Sequence, residues 1–100
     1  MAVTIKPLFR GAASTSNTTL YTTPASTVAT VTSILVANTA ASSATFTLNL
    51  NGTAIFSGTT LAANSTAIFD MKQPLNATQT ISGSASATTV NFSIGGTEVA

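Results

Sequence analysis

Hydrophobic and polar residues alternate most cleanly between Ala44 and Ser57, in ATFTLNLNGTAIFS. Phe46, Leu48 and Leu50 take one parity and Thr45, Thr47 and Asn49 the other, the period-2 signature of a strand with one buried and one wet face. Asn51-Gly52 follows directly. Both central residues of a type I′ turn need positive φ, which Asn tolerates and Gly adopts freely, so the pair predicts a two-residue hairpin. Counting outward from the turn sets Leu50 against Thr53, Leu48 against Ile55 and Phe46 against Ser57 on the inner side. Asn49 against Ala54 and Thr47 against Phe56 then fall on the outer side. Phe46, Leu48, Leu50 and Ile55 form the expected inner face, and Phe56 is expected outside, as a ring that another strand or a neighbouring subunit must cover.

The same reading applied along the chain predicts further short strands. Met1 to Arg10 alternates around Lys6-Pro7, and because Pro7 cannot donate a ladder hydrogen bond the segment is either an edge strand or an arm reaching a neighbouring subunit. Gly11 to Asn17 is a small-residue linker, so residues 1–17 are set apart as an arm or edge strand plus flexible linker, with residues 18–100 as the body. Thr18 to Thr23 is a strand stopped by Pro24. Val28 to Asn38 is the longest apolar β run; its inward parity changes along its length, which predicts either cover on both sides or a bulge near Thr32-Ser33, and its lack of charge predicts pairing on both edges. Gly58 to Ser65 is a connection with Leu61 plugging the core. Thr66 to Met71 follows, with Ala67, Phe69 and Met71 on one side, and Lys72-Gln73-Pro74 is expected to end it. Leu75 to Thr78 turns the chain into Gln79 to Ala87, whose small side chains permit close approach of another layer. Thr88 to Ile94 alternates again, Gly95-Gly96 is read as a turn, and Thr97 to Val99 ends the chain. Seven or eight strands with turn chemistry between them predict an all-β fold, a small antiparallel β-sandwich of immunoglobulin-like or jelly-roll-like topology.

Composition narrows the function more than the fold. One hundred residues make one domain, and charged residues are 5% of the chain against roughly 25% in ordinary soluble domains. All five can be named: Lys6, Arg10, Asp70, Lys72 and Glu98. Thr and Ser supply about a third of the positions, which favours strands over helices. A net charge of +1 from three cations cannot neutralise a run of phosphates, so nucleic acid is not an expected partner. No stretch has the length and apolarity of a membrane span, and the N-terminal residues lack an apolar leader core, so synthesis in the cytoplasm is expected.

Candidate chemistry is nearly absent. The chain has no His and no Cys, which removes the usual bases, activated nucleophiles and transition-metal ligands. Asp70 and Glu98 are the only acids; a glycosidase pair would need them to converge, and calcium would need more of them. Asp70 and Lys72 share a strand face and can pair. Five Asn-x-Ser/Thr triplets, at Asn17, Asn51, Asn64, Asn76 and Asn91, are what chance supplies at this hydroxyl content. No catalytic residue, metal, cofactor or small-molecule substrate is therefore expected.

Three fragments carry a resemblance: Leu20-Tyr21-Thr22-Thr23-Pro24-Ala25, Val31-Thr32-Ser33-Ile34-Leu35-Val36-Ala37-Asn38 and Ile94-Gly95-Gly96-Thr97-Glu98-Val99. Together, over residues 18–99, the chain resembles small virion structural proteins of tailed bacteriophages. The resemblance implies a non-enzymatic β-sandwich made in the bacterial host cytoplasm and located in the virion. There it would bind the major capsid protein or other virion proteins, and self-associate. A capsid decoration or cement protein is the expected role, with Lys6, Leu8, Phe9, Arg10 and Phe56 as candidate subunit or capsid contacts. The alternatives are a tail, neck or baseplate accessory and a glycan- or host-surface-binding module.

Overall fold

The computed structural model describes residues 3–100 and contains eight strands and no helix: β1 (Val3–Ala12), β2 (Thr18–Thr22), β3 (Val28–Asn38), β4 (Ala44–Leu50), β5 (Thr53–Leu61), β6 (Ser65–Leu75), β7 (Thr80–Ala85) and β8 (Val90–Val99). They form two antiparallel four-stranded sheets, ordered β1-β8-β3-β6 and β2-β7-β4-β5. Four of the pairings are nested, β4 with β5 innermost, then β3 with β6, β2 with β7 and β1 with β8. The chain is thus one long hairpin rolled into a sandwich, with Asn51-Gly52 at its tip. That strand order is the jelly roll.

The core is one layer of side chains between the sheets. Ala29, Val31, Ile34 and Val36 of β3 and Val90, Phe92 and Ile94 of its neighbour β8 face Phe46 and Leu48 of β4 and Ile81 of β7, all buried. β3 changes inward parity between Val31 and Ile34, and its register with both β6 and β8 shifts at Thr32, the bulge that the run's mixed parity predicts. It is paired on both sides, as its uncharged sequence requires.

Gly95 and Gly96 do not turn the chain; both lie inside β8. They sit where the flanking strands each carry a bulge, between Val31 and Ser33 on one side and between Pro7 and Phe9 on the other. A Cβ on Gly96 would lie 2.2 Å from the Thr30 carbonyl oxygen and 2.9 Å from Leu8, so the pair is there for close approach. Small residues in β7 serve the same purpose, with Gly83 against the Thr47 carbonyl and Leu48.

The Asn-Gly hairpin forms, with φ of 48° at Asn51 and 79° at Gly52, and Leu50–Thr53 and Asn49–Ala54 pair as expected. Beyond them the simple register fails. Leu48 faces Phe56 rather than Ile55, and Phe46 faces Thr59 rather than Ser57, after two register shifts. Gly58 adopts φ 58° and its N–H donates to Thr47 Oγ1 at 3.0 Å, so β5 bulges there and continues to Leu61 instead of ending at Ser57. The slip exchanges two neighbours: Ile55 is 46% exposed and Phe56 turns in against Phe46 and Phe69. Burying the larger ring among aromatic partners outweighs the lost regularity of the ladder.

Other boundaries move for comparable reasons. β6 runs through Lys72, Gln73 and Pro74 to the buried Leu75, because it is an edge strand and Pro74 needs no outward hydrogen bond. The Gly11–Asn17 stretch is not a free linker: Gly11 and Ala12 extend β1, Ala13 is buried, and Ala13 N–H and Ser14 C=O bond to Val90 and Ala85. It carries the chain from one sheet to the other.

Candidate functional site

All five charged residues lie on the β1-β8-β3-β6 sheet: Lys6 and Arg10 on β1, Asp70 and Lys72 on β6, Glu98 on β8. The opposite sheet has none. Inward-facing Glu98 is the centre of the one ion pair among the described residues, with Lys6 Nζ 3.4 Å from its Oε1. Tyr21, on the first strand of the other sheet, donates its hydroxyl to Glu98 Oε2. Burial pushes the Tyr21 phenol well above its ordinary value, and donation to the Glu98 carboxylate and that group's charge raise it further. The three residues close the β1–β2 side of the sandwich. On the far side, Phe46, Phe56, Phe69 and Phe92 do so with ring centroids 4.5–6.3 Å apart.

The sequence-derived contact residues separate by face. β1 is an edge strand hydrogen-bonded to β8 over its length, from Val3 opposite Val99 to Ala12 opposite Asn91; residues 1–2 lie outside the described residues. Leu8, the bulge residue, is 7% exposed and belongs to the core. Phe9 packs against that core, and so does Phe56, which the simple register had set outside. Lys6 is held by Glu98. Arg10 remains at the surface, with Nε donating to Ser93 Oγ at 3.2 Å.

What sequence reasoning missed is the outer face of the charged sheet. Five large apolar side chains are exposed among the described residues, Val3, Ile5, Val28, Ile55 and Ile68, and the register sets all but Ile55 on this face. Ile5 is 85% exposed, Val3 and Ile68 65% each. The signal was present in the alternation of β1 and β6, but only the strand order shows that these strands border one surface. The outer face of the other sheet is built of hydroxyls and amides, where Asn49 Nδ2 donates to Asn17 Oδ1 and Ser82 Oγ. All six aromatic rings lie in the core or pack against it.

Asp70 and Lys72 line a shallow depression with Thr32 and Met71 at the β3 bulge, without forming an ion pair. No group of three or more acidic, His or Cys residues gathers anywhere among the described residues. The arrangement offers exposed apolar side chains on one sheet face and structural hydrogen bonds between the sheets. No protein-family model matches this chain, and no curated protein matches it.

Proposed function

We propose that this chain is a non-enzymatic structural protein of a tailed-bacteriophage particle, decorating the assembled capsid and stabilising it. The observation that carries this reading is that exposed Val3, Ile5, Val28 and Ile68 all lie on one sheet face of a domain with almost no charge, the first three at one end of it and Ile68 on the opposite edge strand. A surface that is poor in charge and leaves large apolar side chains exposed on one sheet face suits a subunit held in an assembly. The jelly-roll architecture, which viral capsid domains use, supports the reading by analogy, as does the resemblance to virion proteins. The major capsid protein is the proposed partner.

A glycan-binding module has less support, because a sugar platform uses exposed rings and every aromatic here is in or against the core. The experiment is quantitative mass spectrometry of purified particles, with and without the protein. Decoration predicts a copy number that scales with the number of capsomers, and capsids that rupture at lower temperature when the protein is missing. A copy number fitting a tail ring would move the proposal to a tail or neck accessory, and absence from the particle would end it.

A further inference from the structure

The outer face of the β1-β8-β3-β6 sheet is, we propose, an isologous interface for a second copy of this chain, with Arg10 of each copy meeting Asp70 of the other. The inference concerns the free protein in solution; the capsid reading uses the same face, so on the particle the capsid would take the place of the second copy.

The edges of both sheets are poor sites for association. β1 carries Pro7 and a bulge, β6 carries Pro74 and two charges, β2 is five residues long and bulged, and β5 shifts register twice, at Ile55 and at Gly58. These are devices that block strand addition. The outer face of the charged sheet lacks such protection and holds four of the five exposed large apolar residues.

The register fixes where its charges lie. Arg10, Ser93, Leu35 and Ile68 form one row across the four strands, and Pro7, Gly95, Ser33 and Asp70 form the next. Arg10 and Asp70 therefore occupy opposite edges of the face, one row apart. A two-fold axis parallel to the strands lays β1 of one copy on β6 of the other. It sets the Arg10 stem over Ile68 of the partner subunit and its guanidinium beside Asp70 of the partner subunit, and symmetry repeats the pair. A face-to-face two-fold perpendicular to the strands instead stacks β6 on β6 and β1 on β1, where Asp70 can meet Lys72 of the partner subunit but Arg10 finds no acid. A guanidinium is more weakly hydrated than an ammonium and can pair a carboxylate in bidentate fashion, so the arrangement that pairs Asp70 with Arg10 is favoured over the one that pairs it with Lys72. Lys72, at the rim of β6, keeps its ammonium in solvent.

Four strands about 4.8 Å apart and roughly nine residues long present a footprint of about 600 Å², and side-chain relief brings its accessible area near the ~800 Å² per partner of a standard interface. That size, with two ion pairs, fits a dimer dissociating in the micromolar range.

Sedimentation velocity on the purified full chain from about 1 to 500 µM tests this, with circular dichroism confirming that each variant is folded. The wild type is expected to dimerise, and more weakly as salt is raised. Arg10→Asp and Asp70→Arg should each weaken the dimer at least about tenfold, and the double variant carrying both reversals should recover to within about threefold of wild type. If a reversal fails to fold, Ile68→Asp, on an exposed position, serves in its place and should likewise abolish the dimer. A wild type that stays monomeric throughout, a dimer indifferent to the single changes, or a double variant no better than the singles would overturn the proposal.

Discussion

Glu98 is held from two directions, by Lys6 on β1 and by Tyr21 on β2, so a single carboxylate ties the first two strands to the last. Removing the phenol hydroxyl with Tyr21→Phe is expected to cost about 1 kcal/mol in chemical denaturation. The same contact gives a pH dependence whose sign can be worked out. The folded state holds the Tyr21 proton more tightly than the unfolded chain, so the stability it contributes is complete below the ordinary phenol value of about 10 and falls as pH rises past it. Denaturation midpoints of the wild type should therefore drop above that pH, and Tyr21→Phe should flatten the drop; parallel curves for the two proteins would contradict the assignment. Asn38 is a second residue with several partners: buried at the end of β3, its Nδ2 donates to the Ser42 carbonyl at 2.8 Å and its Oδ1 accepts from Ala40 N–H at 3.1 Å. Asn38→Ala leaves those loop groups unpaired and should cost about 2 kcal/mol or more. In sequence Asn38 reads only as the last residue of the Val28 to Asn38 run, because nothing local shows that the following residues fold back over it.

Among the elements, β5 separates local from global information best. Asn51-Gly52 and the first two cross-strand pairs are legible from residue chemistry, because turn geometry decides them. Further from the turn the register depends on which side chain the core admits, and the core is supplied by β6 and β8, far away in sequence. Ile55→Ser should therefore change stability by no more than about 0.5 kcal/mol, whereas Phe56→Ser should cost roughly 2–3 kcal/mol in urea titration. Equal costs would restore the unbulged register. The β3 bulge was legible because a run of eleven residues shows its own change of parity. Gly95-Gly96 was not, since a glycine pair reads as a turn unless both neighbouring strands are known. Gly96→Ala, which meets the Thr30 carbonyl, should destabilise by about 2 kcal/mol or more, well beyond a change at an open turn.

At the scale of the whole molecule, nested pairing brings Val3 beside Val99 and makes the Asn-Gly tip the middle of the fold in every sense but position in the core. Alternation along single strands was enough to predict a sandwich. It could not choose between jelly-roll and immunoglobulin-like order, which depends on which strands cross between sheets. Nor could it show that four separated residues, Val3, Ile5, Val28 and Ile68, share one face. The result is a charge-free face on one sheet and, on the other, a face that carries four exposed apolar side chains with Arg10 and Asp70 at its edges, around a core that uses every ring. The proposed role as a capsid-binding structural protein is tested most directly by imaging the particle at a resolution that separates strands. The account predicts eight-stranded sandwich density repeated over the capsid shell at capsomer junctions and lost when the protein is deleted. Particles whose shell carries no such density, with or without the protein, would contradict it.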